Sequence, residues 1–165
     1  MNEALFPIEQ EIVSGLNQEA ERLYEMAATR KEWTATFKKT LRKLGKERGY
    51  EVWAKFDDEP NSGWLWDLCW ARCDKAHPLQ TLSHIALACE IEWTTGDDYL
   101  LEDFLKLTVC DAGFRVFIFT WQERTGKHCF RLLMNACPPS RGYRYLAIGV
   151  PEHKMDELPC CAWTL

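Results

Sequence analysis

No stretch of this chain runs for about 18 residues without a charge, so the sequence offers no candidate membrane-spanning helix. The opening MNEALFPIEQE lacks the basic start and apolar run of a secretory signal, and the expectation is a cytoplasmic protein. Cysteine is plentiful at eight residues, but the paired C-x2-C spacing that closes a zinc tetrahedron is missing. Cys89, Cys110, Cys129 and Cys137 fall singly in apolar segments, and the adjacent Cys160 and Cys161 would face opposite ways on an extended chain. Reduced, mostly buried thiols are therefore expected, with no zinc site. His77, His84, His128 and His153 form no i, i+4 pair, so none is assigned to metal or catalysis. There is no internal repeat and no low-complexity tract.

What is present is apolar material for one core. At 165 residues, 47% hydrophobic and 13% aromatic, the chain suits a single domain over residues 1–165. Ile8, Ile12, Leu16, Ala20, Leu23 and Met26 recur at helical spacing over 7–28, and Trp33, Phe37, Leu41 and Leu44 do so over 31–45, before Gly49. YEVWAKF (50–56) and WLWDLCWA (64–71) then read as strands joined by the turn DDEPNSG, an antiparallel hairpin. A third strand is expected over 84–93, a helix from Tyr99 to about Asp111, a near-continuous apolar strand FRVFIFTW over 114–121, a helix over 124–136 and a strand over 143–150. The near-continuous run at 114–121 predicts a central strand covered on both faces. The order predicts an α/β fold, a mixed sheet flanked by helices and preceded by two leading helices.

Within this apolar frame, ALACEIEW (86–93) carries Glu90 and Glu92, which on a strand point the same way at about 6.5–7 Å. Asp67, read as mid-strand in WLWDLCW, is costly there unless something binds it, and the hairpin lets its strand lie beside that of Glu90. Three such acids suit a hard divalent cation such as Mg2+. Lys106, on the following helix, can reach back toward them. Acids at i and i+2 also suit a solvated strand face, and a lysine on a helix flank also snorkels to water.

Asp67, Glu90-Ile-Glu92 at the end of a strand, a helix with DFLKL and a strand FRVFIF together resemble the PD-(D/E)xK nuclease-like superfamily, over roughly residues 30 to 121. The resemblance implies a restriction-endonuclease-like fold and hydrolysis of phosphodiester bonds in DNA or RNA, with Mg2+ or Mn2+ as cofactor. It makes Asp67 the first metal-binding acid and Glu90 the acid of the second motif. Glu92, counted with them as a metal ligand, stands where the superfamily's lysine would be. Several branches carry that lysine on the next helix, which would make Lys106 the fourth catalytic residue. Glu32, at the start of the second helix, resembles an accessory acid found in some members, although helix N-termini favour acids anyway.

Substrate binding rests on charge. The net charge of −5 disfavours non-specific binding to nucleic acid, whose affinity comes from phosphates neutralised by Lys and Arg. The second helix is nevertheless basic, and Lys38, Lys39, Arg42 and Lys43 are its candidate phosphate contacts. Arg124, Lys127, His128, Arg131, Arg141 and Arg144 form a second basic set. Trp64, Trp66 and Trp70 are expected on one strand face, serving the core or a partner interface before base stacking. Against the nuclease stands a catalytically inactive relative acting as a binding or regulatory module, in which Glu92 marks a decayed site. A third class is an acidic immunity-type interaction protein, and a homo-oligomer or protein partner fits either of the last two.

Overall fold

The computed structural model describes residues 5–55, 65–74, 81–122, 126–137, 144–154 and 161–164. Pro7 opens α1 (Pro7–Glu25), where its missing N–H costs nothing, and the Glu9 carboxylate accepts from Phe6 N at 2.7 Å. Thr29 and Glu32 cap α2 (Arg30–Glu47) reciprocally, and Gly49 follows it at φ 76°, a left-handed conformation glycine adopts without steric cost.

Then come β1 (Glu51–Ala54), β2 (Leu68–Asp74), β3 (Thr81–Glu92), α3 (Asp97–Thr108), β4 (Ala112–Trp121), α4 (Gly126–Ala136), β5 (Tyr145–Pro151) and β6 (Cys161–Thr164). They form one six-stranded sheet in sequential order. β1, β2 and β3 pair antiparallel, β3, β4 and β5 parallel, and β6 antiparallel to β5. The chain is thus α/β with a mixed sheet, as its alternation of elements indicated; the short β6 was not anticipated.

α1 and α2 cover one face, where Leu16, Phe37 and Leu41 meet Val116 and Ile148. α3 and α4 cover the other, where Phe104 and Leu133 meet Phe117 and Phe119. β4 is central, and alternate side chains enter the two cores, which explains its near-continuous apolar run. Two close fits fix the helices to the sheet. Gly45 lets α2 approach β2 so nearly that a Cβ there would lie 2.6 Å from the Trp70 indole, whose Nε1 donates to Leu41 O at 3.0 Å. On the other face the buried Arg115 of β4 donates from Nε to Leu107 O at 2.9 Å and from Nη2 to Cys110 O at 2.6 Å, placing a cation at the carbonyl end of α3. No helix among the described residues is long and apolar enough to cross a membrane, and Cys69, Cys73, Cys89, Cys110, Cys129 and Cys137 are unbridged.

The second strand begins four residues later than the sequence pattern predicts, and this changes what surrounds it. Residues 65–67 form a bend, so period-2 geometry does not extend back through it. Trp66 consequently enters the α3/α4 core while Trp70 enters the α1/α2 core. The shared face expected of them does not form, and Trp64 lies outside the described residues. Asp67 is correspondingly not mid-strand but immediately ahead of β2.

Candidate functional site

The bend at 65–67 turns the Asp67 side chain toward β3, and its Oδ2 accepts from Ile91 N at 3.0 Å. Its Oδ1 accepts from Lys38 Nζ at 2.7 Å, and the same ammonium donates to Lys55 O at 3.0 Å. Lys38 leaves α2 and reaches the segments just beyond the Ala54–Leu68 pair of β1 and β2. The residue is only 5% exposed, so it is not the solvent-facing phosphate contact that a lysine-rich helix suggested.

Glu90 lies on the α3/α4 side of β3, opposite its neighbours Cys89 and Ile91, which belong to the other core. It is buried at 3% exposure, and its Oε1 has no hydrogen-bond partner among the described residues. Burial pushes its carboxyl up to about 8, the nearby Asp67 charge adds to the rise, and Lys106 opposes it. At neutral pH this acid therefore holds its proton in the larger fraction of molecules, and a cation nearby would release it.

Lys106 and Asp103 approach from α3. Their side chains form an ion pair across one helical turn, and the hydrogen bond that Lys106 donates to Asp103 holds its ammonium above its ordinary range. Lys106 remains half exposed, and the Trp66 indole donates to its backbone carbonyl at 3.5 Å. Lys106 thus stands within electrostatic reach of Glu90. Asp103 is a contributor that the sequence reading passed over; its i, i+3 spacing to Lys106 was the available signal.

The remaining candidates lie apart from this pair. Glu92 shares the Glu90 face by strand alternation, but its Oε1 accepts from Thr94 N in the turn that follows β3. Glu32 accepts from Thr29 N and Thr29 Oγ1, and the backbone bond above all draws its carboxyl below the usual range; it is exposed and serves the helix cap. Lys39 and Lys43 are exposed on α2, Lys43 lying 4.0 Å from Glu47, and Arg42 is partly buried. Of the second basic set, Arg144 is committed to the fully buried Glu9, with Nη2 2.8 Å from Oε2, while Arg124 and Arg141 lie outside the described residues.

The arrangement offers two acidic side chains from neighbouring segments, Asp67 bonded to Lys38 and Ile91 N, and Glu90 buried with an oxygen unpartnered among the described residues. Among the described residues no three acidic, histidine or cysteine side chains are disposed to hold a metal together. A Mg2+ ion needs fewer, since it binds through one or two carboxylates and keeps several waters, and the orphan Oε1 of Glu90 is a donor of the right hardness. Set against family models, curated proteins and solved structures, the chain matches none.

Proposed function

We propose that the chain is a metal-dependent phosphodiesterase of the PD-(D/E)xK nuclease-like kind, acting on DNA or RNA in the cytoplasm. The observation that carries this reading is the buried Glu90 Oε1, which has no hydrogen-bond partner among the described residues and lies near enough to Asp67 for that charge to add to the rise in its pKa. A buried carboxylate oxygen without a partner is expensive, and it is retained most readily where it is used.

In this reading Asp67 and Glu90 hold Mg2+ or Mn2+, and Glu92 joins them by giving up its bond to Thr94 N. The ion, when bound, polarises the phosphoryl oxygen and acidifies a water. Glu90 must lose its proton to become a ligand. Lys106, charged and half exposed, faces the developing negative charge of the reacting phosphate. Lys38 neutralises Asp67 and fixes its carboxylate against Ile91 N. Lys39, Lys43 and Arg42 provide cations for the flanking phosphates.

A second reading is favoured by one specific observation: both oxygens of Asp67 are already engaged, one of them by an ammonium. If Lys38 substitutes permanently for the metal, the protein is an inactive relative that binds nucleic acid, a second copy or another protein.

Calorimetric titration with Mn2+ and Mg2+ at pH 7, in two buffers of different ionisation enthalpy, separates the readings when combined with cleavage assays on single- and double-stranded DNA and RNA. The nuclease reading expects binding with proton release, lost in Glu90→Gln, and metal-dependent cleavage. Binding without cleavage supports the inactive module. Absence of binding at about 10 mM metal, on the order of a Kd too weak to serve a cell, overturns the metal site.

A further inference from the structure

A cavity of about 680 Å³ opens at the carboxyl ends of β3, β4 and β5, on the α1/α2 side of the sheet and thus on the other face from Glu90. Its volume falls within the roughly 300–1,000 Å³ of small-molecule sites. Its position is the one where open sheets with parallel strands bind ligands, because the strands end there and the connecting segments splay apart.

The wall is aromatic. Tyr24, Trp33 and Trp93 meet edge to face, with ring centroids 4.9 Å apart for Tyr24 and Trp33 and 6.1 Å for Trp33 and Trp93. Their exposed polar atoms are largely spoken for: Trp93 Nε1 donates to Thr34 Oγ1 at 2.7 Å, and the Tyr24 hydroxyl donates to Pro151 O. What these two rings have left for a ligand is carbon and π surface, which suits a flat ring better than a sugar or a peptide backbone. The rim supplies charge. Lys154 stands 3.7 Å from Glu25 with both side chains well exposed, and the exposed Arg30 has no ion pair among the described residues.

The floor of the turn between α1 and α2 is also unusual. Ala27 sits at φ 48°, in the left-handed region that a side chain disfavours, and it is held there by Ala28 N donating to Leu23 O at 3.0 Å and Ala27 N to Tyr24 O at 3.1 Å. A non-glycine residue kept in this conformation beside a cavity points to a backbone shaped for something other than stability alone.

We propose that this cavity is a binding site for a nucleotide-like ligand, a flat heteroaromatic ring carrying an anionic group, with the ring against Trp33 and Trp93 and the anion on Arg30. The site is independent of the Asp67–Glu90 reading and survives its failure. The ligand is either a free mononucleotide or the terminal nucleotide of a strand, which present the same chemistry.

The test follows the indole N–H resonances of the full chain by two-dimensional NMR while AMP, UMP, adenosine, inorganic phosphate or a 5′-phosphorylated tetranucleotide is added. Saturable shifts of the Trp93 indole are expected with AMP or UMP, while Trp66 and Trp70, whose indoles bond Lys106 O and Leu41 O, stay fixed. Arg30→Gln, a change on an exposed helix start, should weaken AMP by about tenfold, the value of one charge-assisted contact, and leave adenosine nearly unchanged. Tighter binding of the tetranucleotide assigns the site to strand ends, and tighter AMP assigns it to free nucleotides; both support it. The proposal is overturned if neither AMP, UMP nor the tetranucleotide shifts Trp93 saturably up to about 10 mM. It is overturned equally if AMP shifts Trp66 instead, or if Arg30→Gln binds AMP as wild type does.

Discussion

Lys38 Nζ lies 2.7 Å from Asp67 Oδ1, across 29 residues of sequence, and the two partners are unequally buried, the lysine side chain at 6% and the aspartate at 27% exposure. The asymmetry sets the cost of separating them. Lys38→Met keeps the apolar stem and removes the cation, leaving a carboxylate that still reaches water and Ile91 N. The expected loss is about 2 kcal/mol, below the 3–5 kcal/mol typical when a fully buried charge is stranded. Urea denaturation of Lys38→Met, Asp67→Asn and the double variant should show a coupling of about 1–2 kcal/mol; additive losses would mean that the contact contributes nothing.

Glu90 makes stability depend on pH in the direction opposite to most carboxylates. Its carboxyl sits near 8 in the fold, against about 4.3 in an unfolded chain, so between those values the native state binds more protons than the unfolded state. Stability therefore declines as pH rises through this window, by on the order of a few kcal/mol, and the penalty is complete only above about 8. Glu90→Gln mimics the protonated acid. Its stability curve between pH 5 and 9 should lack this slope and lie above wild type at the alkaline end. Parallel curves for the two proteins would mean that Glu90 is ionised in the fold throughout.

Substituting Lys106 tests its proposed part in hydrolysis. If the site is live, Lys106→Ala lowers the cleavage rate by about 100-fold or more while metal affinity stays nearly intact, because a transition-state contact is lost and not a ligand. Asp67→Ala and Glu90→Ala lose both. A Lys106→Ala protein that cleaves as fast as wild type removes Lys106 from the chemistry and leaves Lys38 as the lysine of the site.

Gly45→Ala should destabilise in spite of its gain in helix propensity. Alanine is favoured over glycine by about 1 kcal/mol in a helix interior. Here the added Cβ would sit 2.6–2.7 Å from the Trp70 ring and from Val52, and α2 would have to back away from β2. A net loss of about 1–2 kcal/mol is expected, with a shifted Trp70 indole resonance. A raised melting temperature would show that the helix moves freely.

Ala27→Gly should stabilise, by about 0.5–1 kcal/mol, because glycine meets no Cβ penalty at the φ of 48° that ends α1. Thermal denaturation in the absence of ligand checks this. An unchanged or lower melting temperature would mean that the left-handed turn carries no strain.

Periodicity made most of the fold legible, because long apolar runs such as Phe114–Trp121 allow only one role. Turn chemistry was harder. Trp66 and Asp67 lie in a bend ahead of a strand that begins at Leu68, and nothing in WLWDLCW marks that bend. Lys38 read as one of a row of surface cations because its partners, Lys55 O and Asp67, are brought to it only by tertiary packing. The Glu90 position was visible as an acid on a buried strand, whereas the turning of Glu92 to Thr94 depends on how the chain leaves β3. Arg144 and the fully buried Glu9 are 135 residues apart, and neither carries a local sign of the other.

Neighbouring strands usually exchange amide-to-carbonyl bonds, all chemically alike and indifferent to pH or ions. At Ile91 the acceptor is a side-chain carboxylate, so the last rung between β2 and β3 is built from a group that a proton, a metal or a single substitution can alter. The end of the sheet and the charge state of the acid pair are consequently one mechanical unit. Whatever engages Asp67 also tightens or loosens the strand that carries Glu90, and a disabling substitution there reports on both at once. Asp67→Asn, which keeps a carbonyl oxygen for Ile91 N and discards the charge, is the variant that pulls the two apart.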